Sequence, residues 1–199
     1  MTLRRGFKKE ARALALEVRE ELGIDVFTPL DPWALAELYG IEVHDLTNPV
    51  LPKESVHHLT VERPHVFSAA LVPLRPSGAV IIENHVHPLR RRRSTIAHEM
   101  AHVLLEHPFG PTLTDENGCR SAVADIEEEA AELSGELLLP TDAARIAAFK
   151  RWSDHSVANH FRISVRMATW RMNMSGARRI AARTRYQRHS RCTGITNSA

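Results

Sequence analysis

The 199-residue sequence predicts an α+β fold: mostly helical, with a small antiparallel sheet in its first half and a small group of helices at its end. Three observations predict it. Apolar residues recur at helical spacing through most of the chain. Two β-rich runs, residues 66–72 and 79–82, flank Pro73-Leu74-Arg75-Pro76-Ser77-Gly78, which is turn chemistry. Hydrophobic residues make up 43% and charged residues 25%, the balance of a chain that buries an ordinary core without staples. The predicted organisation is a first domain over 1–140, a helical part over 141–191 and a disordered tail over 192–199.

The elements follow in order. Phe7, Ala11, Leu14, Ala15, Val18 and Leu22 share one helical face, and Gly23 is the stop. Asp31-Pro32-Trp33 starts a second helix, with Asp as N-cap and Pro at the first helical position; Gly40 ends it. Residues 41–44 alternate like a strand. Prolines at 49, 52 and 64 punctuate residues 45–65, which read as loop. After the two strands comes Arg90-Arg91-Arg92-Arg93. This run is either a solvated face or a dock for an acidic substrate segment. A helix follows with Ile96, Ala97, Met100, Val103 and Leu104 on its apolar side, ended by Pro108 and Gly110. Residues 110–120 read as loop. Helices are expected over 121–139, 141–152, 154–161, 164–173 and 175–189.

Charge and cysteine content narrow the function classes. Net charge is +2, yet residues 145–191 hold twelve Lys or Arg and one acid, Asp154. That asymmetry fits either a solvated basic face or an acidic partner such as nucleic acid. Cys119 and Cys192 are the two cysteines and form neither a disulfide framework nor a Cys-x-x-Cys metal site. With no signal-peptide pattern and no apolar run of membrane length, a reduced, cytoplasmic protein is expected.

His98-Glu99-Met100-Ala101-His102 carries the chemistry. Histidines four apart on a helix emerge on one side and can grip one Zn²⁺. Glu99, beside the first, is placed as general base: it takes a proton from the hydrolytic water and passes it to the leaving amine. A catalytic zinc ordinarily has three protein ligands and one open position. The next helix offers Glu127, Glu128 and Glu129. Its apolar stripe is Val123, Ile126, Ala130, Leu133 and Leu137, and Glu128 falls opposite it, toward water. Glu127 and Glu129 flank the stripe. Glu129 lies slightly nearer its centre and is the first choice as ligand, with Glu127 second. His107 reads as a helix-end residue favoured by the dipole, or as support for a ligand. His57, His58, His85 and His87 are surface residues or helpers in substrate binding.

These segments resemble the ImmA/IrrE family of metallopeptidases. The resemblance rests on Thr95-Ile96-Ala97-His98-Glu99-Met100-Ala101-His102-Val103-Leu104-Leu105, then Ile126-Glu127-Glu128-Glu129-Ala130 and Leu137-Leu138-Leu139-Pro140. Ala79-Val80-Ile81-Ile82 and Phe161-Arg162-Ile163-Ser164-Val165 fit the same layout. The likeness runs over about residues 30–175 and is most specific at 94–140. It implies a gluzincin-like, zincin-type domain followed by a helix-turn-helix-like part, with a glutamate ligand from the second helix. It also implies a peptidase that cuts helix-turn-helix repressors and so switches on stress or mobile-element genes. By motif position His98 and His102 carry over as ligands, Glu99 as base, and the acidic ligand falls in the glutamate cluster. The sequence departs from the pattern at Ala131, where the family often has Asn or Asp, and at Leu133-Ser134, which replaces Phe-Ala.

Two further readings stay open. In one, the chain is a DNA-binding regulator whose Arg162, Arg166, Arg171, Arg178 and Arg179 contact phosphates. The turn between the two short helices lacks a glycine, and Phe161, Ile163, Val165 and Trp170 look like packing residues. In the other, the chain is a zinc-bound scaffold or sensor without turnover.

Overall fold

The computed structural model describes residues 3–48, 51–74, 77–108 and 120–193, and for 120–123 and 188–193 the backbone alone. Residues 110–119 of the expected loop, Cys119 among them, the side chain of Cys192 and the tail beyond 193 lie outside the described residues.

Helix α1 (Phe7–Glu21) buries Phe7, Ala11, Ala15 and Val18, the face its spacing predicts. Its end is closed by Gly23 at φ 66°, with Ile24 N–H donating to Arg19 O at 2.9 Å. Helix α2 (Pro32–Leu38) starts as expected: the Asp31 carboxylate accepts from Trp33 N–H. The sheet has strands β1 (Glu42–Asp45), β2 (Ala69–Pro73) and β3 (Ala79–Glu83) in the order β1-β3-β2. It is mixed rather than purely antiparallel. β2 and β3 form an antiparallel hairpin, while β1 runs parallel to β3 from its other side. The chain between β1 and β2 crosses to the far edge, so the hairpin returns with β3 beside β1.

That crossing is not loop throughout, as expected over 45–65. It holds helix α3 (Lys53–His57), a π-helical turn at His58–Glu62 and a 3-10 turn at Pro64–Val66. The prolines bracket these turns instead of breaking them. Pro52 stands at the N-cap of α3 and Pro64 opens the 3-10 turn, where a missing N–H costs nothing.

Helices α4 (Leu89–Leu104) and α5 (Arg120–Leu138) form the centre. α4 buries Ile96, Ala97, Met100 and Ala101, and α5 packs against both α4 and α1. α6 (Thr141–Phe149), α7 (Asp154–His160), α8 (Val165–Met174) and α9 (Ala177–Thr193) follow. Serines cap two of them, Ser153 accepting from Ser156 N–H and Ser164 from Met167 N–H. One cluster of buried apolar side chains runs from Phe7 to Ala181. Each fully buried Leu, Ile, Phe or Met in it contributes about 1.5–3 kcal/mol from burial. Among the described residues no helix is long and apolar enough to cross a membrane.

Buried arginines tie the helices together. Arg19 donates to Leu137 O and Asp25 O, both at 2.6 Å, and to Thr28 O. Arg171, fully buried on α8, donates to Glu132 at 2.9 Å and Leu139 O at 3.1 Å and is paired with Glu136. Glu136 in turn accepts from Thr141 N–H at 2.8 Å, which caps the start of α6.

Candidate metal centre

His98 and His102 lie one turn apart on α4, and their Nε2 atoms are 3.2 Å from each other. Glu127 on α5 closes the group, with Oε2 3.1 Å from His98 Nε2 and Oε1 3.5 Å from His102 Nε2. These three side chains are the group among the described residues that could hold a metal ion. The spacing fits zinc. Ligand atoms at about 2.0–2.1 Å from a tetrahedral ion stand roughly 3.3 Å apart, the separation already present here. The donor set, two imidazoles and a carboxylate, is that of a catalytic site with one position left open.

The acidic member of this cluster is Glu127, the second choice from sequence, and not Glu129. The Glu129 carboxylate points to the other side of α5, where it accepts from Arg4 Nε at 2.8 Å. α5 has two polar borders along its apolar stripe. Glu127, Ala131 and Ser134 border α4 and the cleft; Glu129 meets Arg4, just before α1, and Glu132 and Glu136 meet Lys8 of α1 and Arg171 of α8. Both borders adjoin buried residues, so nearness to the stripe centre does not select the ligand. Glu128, expected toward water, is half-buried, and its Oε2 is enclosed with no hydrogen-bond partner among the described residues.

Glu129 reaches the centre indirectly. His107 Nδ1 lies 2.9 Å from His102 Nδ1, and His107 Nε2 is 3.6 Å from Glu129 Oε2. The backbone arranges this. Glu106 takes a left-handed φ of 51°, and His107 N–H donates to His102 O at 3.0 Å, folding the imidazole back onto the helix end. His102, largely buried, has its pKa lowered to about 4, first by burial and then by neighbouring His98.

Glu99 points to the sheet side of α4. Its Oε2 accepts from Leu71 N–H at 3.2 Å. Its pKa is raised, chiefly by burial, against the opposing pull of His98 and the Leu71 hydrogen bond. Leu71 is on the free edge of β2. Asn84 N–H bonds Ser68 O and Leu74 N–H bonds Gly78 O, so the even-numbered residues face β3 and Ala69, Leu71 and Pro73 turn outward. An edge strand therefore borders the cleft, with its first and third outward positions at Ala69 and Pro73.

The arginine run is not a uniform solvated face, because it forms the first turns of α4 and its members diverge. Arg93 is buried and donates to Leu30 O. Arg92 clasps Glu83 at 2.6 and 2.8 Å and lies over Trp33. Arg90 donates to Asn159 and Arg91 to Ser68 Oγ. Beyond Arg91 a cavity of about 860 Å³ opens between β2, α4, α5 and α8, with His98 and Glu99 in its wall.

The remaining candidates fall elsewhere. His57 and His58 approach Glu62 on the surface, and His87 bonds Phe67 O. None of these, nor His85, lines the cavity. Of the arginines considered for phosphates, Arg171 is wholly internal, since its charge serves the buried carboxylates, and Arg178 is paired with Asp154. Arg162 supplies the left-handed residue, at φ 54°, that the glycine-free turn between α7 and α8 needs. Arg166, Met167 and Trp170 on α8 face the cleft.

No curated protein matches the chain. The family model of the IrrE N-terminal-like domain matches residues 19–173, which include both metal-site helices and the edge strand. With most of its length matched, and with a His-His-Glu cluster beside a half-buried glutamate, the chain belongs to the IrrE N-terminal-like family and carries a metallopeptidase-like domain.

Proposed function

We propose that this protein is a zinc-dependent endopeptidase, with His98, His102 and Glu127 as ligands and Glu99 as general base. The observation that carries the reading is the convergence of three ligand atoms within 4.8 Å of one another, one residue along the chain from a half-buried carboxylate in the cavity wall. Bound zinc would supply Lewis acidity, polarising the scissile carbonyl and making water more acidic. The protein's own part is positioning and proton transfer. Leu71 N–H holds the Glu99 carboxylate at the cleft wall, and burial raises its proton affinity. A base so tuned accepts the proton from the attacking water and returns it to the departing amine. The outward edge of β2 offers main-chain groups to an extended substrate, which fixes the peptide beside Glu99.

The substrate we favour is a helix-turn-helix repressor, cut in the cytoplasm to release stress or mobile-element genes; family membership supports this reading. Co-expression with a candidate helix-turn-helix repressor from the same genome tests it. Wild type should cleave that protein. Glu99→Gln should retain metal and lose at least a hundredfold in rate, within the range of about 10²–10⁴ for general base catalysis. Undiminished cleavage by Glu99→Gln would overturn the assignment.

A further inference from the structure

The cavity beside Glu99 has a character that its catalytic neighbours do not require. Its floor is apolar: Trp170 and Met167 from α8 and Ala131 from α5. Trp170 is seated on Gly135 of α5, where a Cβ would lie 2.9 Å from Trp170 Cζ3, so the indole packs flush on bare backbone. Its volume, about 860 Å³, exceeds what the attacking water needs and is the size of a site that swallows large side chains.

Two arginines, from α4 and α8, line the cavity. Arg91 is exposed and reaches Ser68 Oγ at 2.7 Å, which places its charge at the start of the outward edge of β2. Arg166, on the first turn of α8, lines the same cavity. It is exposed and makes no hydrogen bond or ion pair among the described residues. Glu99 is the one carboxylate among the described residues of the lining. The cavity thus pairs an apolar floor with an uncompensated positive rim.

We infer that this cavity is a specificity subsite for a peptide segment bearing a large apolar side chain with an acidic residue within two positions of it. The apolar side chain covers Trp170, and the acid bridges Arg91 and Arg166. The inference rests on the peptidase reading for the cleaved bond, but the preference itself concerns binding. Guanidinium–carboxylate pairing is directional and bidentate, so it selects acid over amide as well as over base. An edge-bound peptide alternates its side chains, so one residue faces the cavity while its neighbours face the rim.

Selection of random octapeptides tests this, with zinc-loaded Glu99→Gln as bait and cleavage-site mapping by wild type alongside. Bound octapeptides should be enriched at least tenfold in Asp or Glu within two positions of Leu, Met, Phe or Trp. The double reversal Arg91→Glu with Arg166→Glu, both at exposed positions, should turn that enrichment to Lys or Arg. Trp170→Ala should weaken the apolar preference and leave the acidic one. Enrichment that ignores charge, enrichment unchanged by the double reversal, or no enriched peptide at all would overturn the subsite. Binding with the expected preference but no cleavage by wild type would overturn the peptidase reading and leave the subsite standing.

Discussion

His107 Nδ1 stands 2.9 Å from His102 Nδ1, so the two rings share one proton between them. For His102 Nε2 to present a lone pair beside His98 and Glu127, that proton must sit on His102 Nδ1, with His107 Nδ1 accepting it. His107 Nε2 then carries its own proton toward Glu129, itself held by Arg4. The arrangement fixes both the tautomer and the ring plane of a candidate ligand.

His107→Ala should therefore weaken zinc binding by about 10–100-fold, the usual effect of losing such a supporting partner. Competition with a chromophoric chelator measures it. An unchanged affinity would show that the His102 ring is held by packing alone.

Glu127 and Glu129 should separate in the same assay. Glu127→Ala should reduce bound zinc below one ion per chain at micromolar metal. Glu129→Ala should keep stoichiometric zinc with a smaller loss of affinity, because it acts through His107. The opposite ranking would make Glu129 the ligand.

The metal-free protein should lose stability as pH falls from 6.5 toward about 4. The folded pKa of His102 lies below its ordinary value, so within this window the unfolded chain binds the extra proton and acid favours unfolding. Above 6.5 the contribution is fully present. Urea midpoints across this range should slope upward with pH, and His102→Gln should flatten the slope.

Arg171→Met should destabilise by about 3–5 kcal/mol, since it leaves Glu132 and Glu136 as buried carboxylates without their cation. Urea denaturation reads the loss. The triple change that also replaces Glu132 and Glu136 by Gln should recover a large part of it.

Much of this molecule is legible in its sequence, for reasons that differ by element. The faces of α1 and α4 are plain because each buries one stripe at a regular period. The histidine pair is plain because both ligands lie on one element, where spacing alone sets direction. The acidic ligand is not. α5 is packed on two sides, and periodicity reports that a face is covered without saying by what. Glu129 meets Arg4 and His107, whereas Glu127 meets His98 and His102 of α4, and only tertiary placement distinguishes them. Residues 53–62 misled for a local reason. The flanking prolines, Pro52 and Pro64, lie at turn boundaries, so they mark where helical segments start rather than forbid them. The arginine run carried no periodic signal, and its four fates follow from where β2, β3, α7 and the segment before α2 lie around the start of α4.

The left-handed turn at Glu106 has a consequence for local breathing of the helix. A non-glycine residue at φ 51° is held there by the closing bonds of the last turn of α4, and those same bonds carry His107 back to the metal cluster. Unwinding of that one turn would remove His107 from His102. Zinc occupancy and fraying at residues 105–107 are thus one linked equilibrium: each bound ion should slow amide exchange there, far more than in α9.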